Sequence, residues 1–408
     1  MAGTSMRSDS MEEFKGLRIT SLDDEDEEEE EEEEEDDDDD DDDEANEDVV
    51  LGFVKKPKNP RSLFRHFFPS KAGGVPAWLD PVNLPSGRSF LCDICGEPLH
   101  FMLQVYAPED VEYAFHRTLF VFICTSMACL RQDQHEQWKR HPNKPSRSVK
   151  VFRCQLPRDN PFYSSEPPKK DDKPSGAGVP LCTWCGTWKG IKACSSCQKA
   201  LYCSEKHRVK HSQLGHDYDC QRVRIASDSL DSGLSNSGTI SVELQKVACT
   251  SLWPELKIIQ EDESAFETRM SEENGCSNSL VSRNRTDDTI MSLMKEFEGD
   301  DERKSWASFE ERISLAPEQV LRYCRTPGAK PLWPLSSGRP SKADIPKCNY
   351  CSGPLRFEFQ ILPQLLYYFR VRNDVDSLDW ATIAVYACEA SCDSNVAYKE
   401  EYAWVQLS

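Results

Sequence analysis

The sequence predicts an α+β, β-rich fold in which two related half-domains form one unit. A small Cys/His-rich module is inserted between them, and a disordered acidic tail and linker accompany the ordered parts. Three observations carry the prediction: one uninterrupted acidic run, one block that occurs twice, and cysteines spaced as metal ligands.

The acidic run comes first in the chain. The 408 residues hold 49 Lys and Arg against 71 Asp and Glu, a net charge of −22. Residues Asp23 to Glu44 are 22 consecutive carboxylates, and without them 49 acids face 49 bases. The sequence pI near 4.9 therefore belongs to a tail. A globally acidic surface is excluded, and so is a strongly basic nucleic-acid-binding domain. Like charges this dense repel, with nothing apolar to offset ordering entropy, so residues 1–49 read as a disordered tail. Met1 to Thr20 lacks the apolar centre of a targeting peptide, and the strong run Leu119 to Cys124 is far below the ~20 residues that cross a bilayer. A soluble intracellular protein is expected.

The remaining chain divides by composition. Residues 50–163 read as the N-terminal half of a duplicated β-rich domain, 164–180 as a Pro- and Lys-rich linker, and 181–222 as the Cys/His module. Residues 223–311 read as a mostly disordered acidic and Ser-rich linker, with one short strand at Thr239 to Leu244 and a helix-like piece near Ile290 to Phe297. Residues 312–408 are the C-terminal half.

The two halves repeat each other. Cys92, Cys95, Pro98, Leu99, Phe101 and Gln104 recur as Cys348, Cys351, Pro354, Leu355, Phe357 and Gln360, at a constant offset of 256. A Trp precedes each block, at Trp78 and Trp333. A β-rich run follows each and ends in Cys, Thr118 to Cys124 and Thr382 to Cys388, with a further thiol at Cys129 and Cys392. Each half closes on a strand ending Gln-Leu, at Gln155-Leu156 and Gln406-Leu407. Alternation through Leu99 to Val105 and the β-branched and aromatic content argue for strands. Four elements in one order point to an internal duplication.

Eighteen cysteines in an intracellular chain read as metal ligands rather than disulfides, and 14 of them fall into close groups. The module carries Cys182, Cys185, Cys194, Cys197, Cys203, His207, His216 and Cys220, enough for two tetrahedral Zn²⁺ sites. C-x2-C pairs are knuckles in which a tight turn brings two thiolates to one ion, and Gly186 stands where that turn needs a positive φ. Cys203/His207 and His216/Cys220 are four apart, which places each pair on one helix face. The halves each offer four thiols: Cys92 and Cys95 with Cys124 and Cys129, and Cys348 and Cys351 with Cys388 and Cys392. Each suits a Cys₄ zinc site, and the alternative is packed free thiols. Cys154, Cys249, Cys276 and Cys324 read as structural.

No phosphate loop, dinucleotide fingerprint, H-E-x-x-H or nucleophile elbow is present, so no enzyme is expected. His116-Arg117 is the most suggestive polar pair, but the repeat places Trp380 opposite His116, which favours packing.

The module resembles the MYND zinc finger, including the aromatic of Tyr202-Cys203. The resemblance implies interleaved ligands: Cys182, Cys185, Cys203 and His207 on one ion, Cys194, Cys197, His216 and Cys220 on the other. The sixth ligand is usually Cys in that family. His207 fills the position here, one helical turn from Cys203, with His211 as the alternative and read as a solvated helix residue.

The whole chain resembles the programmed cell death protein 2 family in its MYND-containing branch. The residues that carry this are Phe67 to Leu79, the Cys92-to-Pro108 stretch, Phe115 to Thr118, Gln155 to Tyr163, Pro317 to Tyr323, Pro354 to Leu366, Leu378 to Tyr386 and Tyr402 to Gln406. The resemblance implies a dedicated, non-enzymatic chaperone for a basic ribosomal protein, universal small-subunit protein 5. It serves 40S assembly in the cytoplasm and sometimes the nucleus. No small-molecule substrate or membrane is implied. Exposed sheet edges could accept an extended client, and the acidic run could steer it. The alternative is an adaptor whose MYND finger recruits proline-containing peptides of nuclear regulators. Direct nucleic-acid binding is a weak third reading.

Overall fold

The computed structural model describes residues 48–139, 146–169, 172, 178–216, 220, 247–266, 268, 301–372 and 374–408. Among them the strands, in chain order, are β1 (Val50–Lys55), β2 (Lys71–Ala72), β3 (His100–Tyr106), β4 (His116–Ile123), β5 (Val149–Leu156), β6 (Lys192–Ala193), β7 (Leu201–Tyr202), β8 (Leu256–Asp262), β9 (Leu321–Tyr323), β10 (Leu355–Ile361), β11 (Thr382–Cys388) and β12 (Tyr398–Gln406). Ten of them close into a barrel in the order β1-β8-β2-β3-β4-β5-β12-β11-β10-β9. Antiparallel pairing of Val50 with Tyr323 joins its ends. β6 and β7 form a separate two-stranded sheet. Among the described residues, no helix is long and apolar enough to cross a membrane.

The alternation read in the sequence sorts residues onto two faces. Val54, Ala72, Leu103, Leu119, Val151, Ile258, Leu321, Phe359, Ile383 and Val405 come one from each barrel strand, yet all belong to one buried cluster. Only the barrel interior touches all ten strands, so these residues point inward. The alternate residues face out and are covered. Phe101, Phe120 and Phe122 pack under Trp78, with ring centroids of Phe120 and Phe122 5.1 and 5.5 Å from it. Phe357, Ala384 and Tyr386 pack with Trp333 against them.

The two central hairpins share their register. Phe101 faces Phe122 and Leu103 faces Val121, with a bulge between. Phe357 faces Tyr386 and Phe359 faces Val385, again with a bulge between. Gln104 Oε1 accepts the N–H of Ala77 at 2.8 Å, and Gln360 Oε1 accepts that of Leu332 at 2.7 Å. Each glutamine thus holds the residue just before the Trp of its half.

Two expectations are corrected. Part of the 223–311 segment is not linker: β8 is a barrel strand between β1 and β2, and the helix Asp301–Ser314 starts before 312. β8 was hard to read because Ile258 is its one fully buried residue. The expected pieces at Thr239 to Leu244 and Ile290 to Phe297 lie outside the described residues, as do the acidic run and Cys276. The second correction concerns sheet edges. Among the described residues every barrel strand has a neighbour on both sides, so the barrel offers a client no terminal strand to extend.

Charge is also buried inside. Arg117 and Arg153 sit at inward positions of β4 and β5. Arg117 donates to Glu358 Oε1 and Oε2 at 2.5 and 2.7 Å, with both side chains fully buried. Arg325 reaches the same carboxylate at 2.9 Å and Glu109 at 2.8 Å. Arg153 Nε donates to Glu401 at 2.6 Å. Burial works to raise the pKa of Glu358, but the Arg117 and Arg325 guanidiniums hold it below its ordinary value.

Removing one partner of such a buried pair costs about 3–5 kcal/mol. Glu358→Gln should lower stability in urea by that amount, and a loss under about 1 kcal/mol would contradict the buried-pair reading. The pH dependence has a defined sign. Because the folded pKa is depressed, the contribution is complete above the ordinary value of 4.5 and is lost as pH falls through the folded one. The variant should therefore lose less stability on acidification than the wild type.

Candidate metal centres

Four C-x2-C loops share one backbone geometry. In each, the residue four after the first Cys donates its N–H to that cysteine's carbonyl: Gly96 to Cys92 at 2.9 Å, Gly186 to Cys182 at 2.7 Å, Gln198 to Cys194 at 3.0 Å and Ser352 to Cys348 at 2.8 Å. Each donor has positive φ, at 68, 63, 55 and 60°. Gly186 was expected to do so, and it has a second reason to be glycine. An added Cβ would meet Val247 at 2.5 Å and Val75 at 2.9 Å. The turn folds the two cysteines of each loop toward one point.

Second pairs complete four sets, in each of which the ligand atoms lie within 4.8 Å of one another. Cys182, Cys185, Cys203 and His207 form one. Cys203 Sγ is 3.1 Å from His207 Nδ1, and Cys185 Sγ is 4.0 Å from Cys203 Sγ. The helix Glu205–His211 carries His207, and the Ser204 hydroxyl caps it by accepting the His207 N–H at 3.2 Å. Cys194, Cys197, His216 and Cys220 form the next, with Cys194 Sγ 3.9 Å from Cys220 Sγ and 3.3 Å from His216 Nε2. Cys92, Cys95, Cys124 and Cys129 form the third, with Cys95 and Cys124 Sγ atoms 3.6 Å apart. Cys348, Cys351, Cys388 and Cys392 form the fourth, with Sγ separations of 3.7 and 3.6 Å.

These distances fit metal better than disulfide. All of these cysteines are free, and an S–S bond needs ~2.05 Å. A tetrahedron with metal–sulfur bonds of ~2.3 Å has edges of about 3.8 Å. Thiolate and imidazole donors suit a borderline-soft ion rather than Ca²⁺ or Mg²⁺. Hydrogen bonds from Cys185 and Cys203 hold Cys182 well below the ordinary thiol range, and the Cys124 thiol pushes Cys92 down to about 5. One thiol in each of these two sets is thus favoured as a thiolate, while its partners Cys124 and Cys203 are pushed up by the same contacts.

The other sequence candidates sit elsewhere. His211 is buried rather than solvated, with Nδ1 2.9 Å from the Tyr202 hydroxyl and its ring 5.8 Å from Trp184. Its place one turn after His207 points it inward, but it stands outside both ligand sets. His116 is buried, stacks on Phe68 at 4.0 Å and lies 3.0 Å from the Tyr106 hydroxyl. Burial lowers its pKa to about 4, and its counterpart Trp380 is also buried. Cys154, Cys249 and Cys324 are buried free thiols.

Sequence reasoning missed how firmly the Cys/His-rich module is docked. Trp188 Nε1 donates to the Leu99 carbonyl at 2.9 Å, and Trp78 Nε1 donates to that of Thr187 at 2.8 Å. The Trp188 ring lies 4.4 Å from Phe122. Lys206 and Lys210 meet Glu97 at 3.0 and 3.2 Å, beside the Cys92 set. Burial works to raise Glu97, yet the two ammonium groups hold it below its ordinary value. The available signal was Trp184 and Trp188 themselves, two large apolar side chains in a segment too small to bury them alone.

Comparison with known proteins agrees with this division. The model of the programmed cell death protein 2 N-terminal domain matches residues 48–170, and that of the C-terminal domain of the same protein matches 303–407. Programmed cell death protein 2 of Bos taurus is 36% identical over 367 residues, covering 87% of this chain and 95% of that protein. Programmed cell death protein 2-like of Homo sapiens is 25% identical over 331 residues, covering 79% and 85%. Probable 20S rRNA accumulation protein 4 of Schizosaccharomyces pombe is 32% identical over 120 residues, covering 25% and 28%. No solved structure matches. With a family model on either side of the Cys/His-rich module and a 36% identical relative matched over nearly its whole length, the chain belongs to the programmed cell death protein 2 family.

Proposed function

We propose that this chain is a non-enzymatic chaperone that captures one basic ribosomal protein, universal small-subunit protein 5. It thereby supports 40S subunit biogenesis in the cytoplasm and nucleus. The observation that carries the reading is the similarity to a Schizosaccharomyces pombe protein named for 20S rRNA accumulation. The closed ligand sets support a structural rather than catalytic use of metal, since none keeps an open position.

Three finer readings accompany it. The metal is zinc, supported by thiolate and imidazole donors at tetrahedral spacing. The finger is of MYND type, supported by its interleaved sets. The halves are an internal duplication, supported by hairpins whose registers and bulges coincide at offsets of 256 and 264. In this reading the client meets side chains and loops of the barrel exterior, since no barrel strand is terminal.

Elemental analysis of the full chain should find four zinc equivalents, and three in Cys92→Ser/Cys95→Ser. Two equivalents in the wild type would leave the outer sets as packed thiols. Affinity purification from translating extract should enrich one ribosomal protein, and do so equally with Ile191→Asp/Leu214→Asp. Those two side chains are exposed on the finger, at 63% and 69%. A broad set of nascent clients would contradict a dedicated chaperone. Loss of capture in the double variant would favour the finger-adaptor reading.

A further inference from the structure

The two outer cysteine sets are supported by cations of different kinds. Beside the Cys92 set stands Lys206, whose Nζ is 3.3 Å from the Cys95 carbonyl and whose side chain is 48% exposed. Beside the Cys348 set stands Arg153 of β5, whose side chain is 0% exposed. Its Nη2 lies 3.8 Å from Cys392 Sγ, and its Nη1 donates to the Cys392 carbonyl at 3.3 Å. Its Nε holds Glu401 Oε1 at 2.6 Å, while Glu401 Oε2 accepts the Cys388 N–H at 3.0 Å. One ion pair therefore grips both members of the second thiol pair.

That pair needs outside help. Cys388 and Cys392 are separated by three residues, and the loop passes through Ser391, a buried non-glycine with φ of 44°. A non-glycine residue in that conformation persists only where its surroundings hold it. Gln155 Nε2 adds a hydrogen bond to the Ser391 carbonyl at 2.9 Å. Four thiolates around a divalent cation leave a net charge of about −2, which is costly beside an apolar interior unless a cation answers it. The Arg153 guanidinium is placed to do so, in a dry setting where its field is little screened. Arg153 and Gln155 belong to the N-terminal half, and all four thiols to the C-terminal half.

We propose that Arg153 is a positioning residue of the Cys348–Cys351–Cys388–Cys392 centre. It answers the charge of the metal–thiolate set from across the β5–β12 seam and, with Glu401, fixes Cys388 and Cys392 as a ligand pair. This rests on the zinc reading of the outer sets. By linkage, zinc in this centre tightens the seam by the same free energy that the seam contributes to zinc affinity.

The test uses the full chain in a series of zinc-buffered solutions, with N-ethylmaleimide labelling of released thiols mapped by mass spectrometry, so that each set reports on itself. The variant is Arg153→Met/Glu401→Gln, which removes both charges and leaves no orphaned one. The free-zinc concentration at half-protection of Cys348, Cys351, Cys388 and Cys392 should rise about 10–100-fold, as for other outer-shell changes. The Cys92 set and the finger should stay where they are, and Arg153→Lys should restore part of the loss. Unchanged protection of the Cys348 set, with zinc bound in both proteins, overturns the role of Arg153. So does an equal shift in all four sets, which marks general destabilisation. Cys348-set thiols labelled in the zinc-loaded wild type overturn the zinc reading together with the proposal.

Discussion

A carboxylate inside a barrel dictates much of what surrounds it. Glu358 is fully buried, and a charge there persists only with partners close by. Its partners are Arg117 from the N-terminal half and Arg325 from the C-terminal half. The barrel must therefore close around residues far apart in the chain before this charge is tolerable. Closure then sets the remaining requirements. The inward face becomes one apolar core shared by all ten strands, and among the described residues no barrel strand is terminal. The outward aromatics need covers, which Trp78 with the finger supplies on one half and the Trp333 segment on the other.

The metal sets take their places from the same topology. β4, β5, β12 and β11 are neighbours joined by three antiparallel pairings, so β4 and β11 run in opposite directions. Cys124 follows β4 and Cys388 ends β11, so the two outer sets stand at opposite ends of the barrel. A bound structural ion contributes ~10 kcal/mol or more to folding. If the outer sets bind metal as proposed, two such clamps would stand at opposite ends of one barrel, while the Cys/His module packs on the outer aromatic face.

The parts legible in the sequence were those encoded locally. C-x2-C spacing and alternation along Leu119 to Ile123 each depend on a few neighbouring residues, and each has its counterpart in the structure; the i, i+4 spacing brings Cys203 and His207 together, but Cys203 precedes the helix Glu205–His211 instead of sharing its face. The repeat was legible because Gln104 and Gln360 do the same work in each half. What escaped was encoded at long range. β8 has a single fully buried residue and takes its place from β1 and β2. Arg117 and Glu358 look like exposed charges until their strands face each other across the interior. His211 read as a surface residue because its partners, Tyr202 and Trp184, meet it only in the folded finger. The closed barrel itself cannot be inferred from two similar halves, which could as readily have packed side by side.

The claim that the two family domains form one barrel is tested most directly by hydrogen exchange of the full chain through a denaturant series. Peptides from β3–β5 and from β10–β12 should lose protection together, at one denaturant midpoint, because Arg117–Glu358 and Arg153–Glu401 join them. Two separate midpoints, with one half still protected while the other exchanges freely, would contradict it.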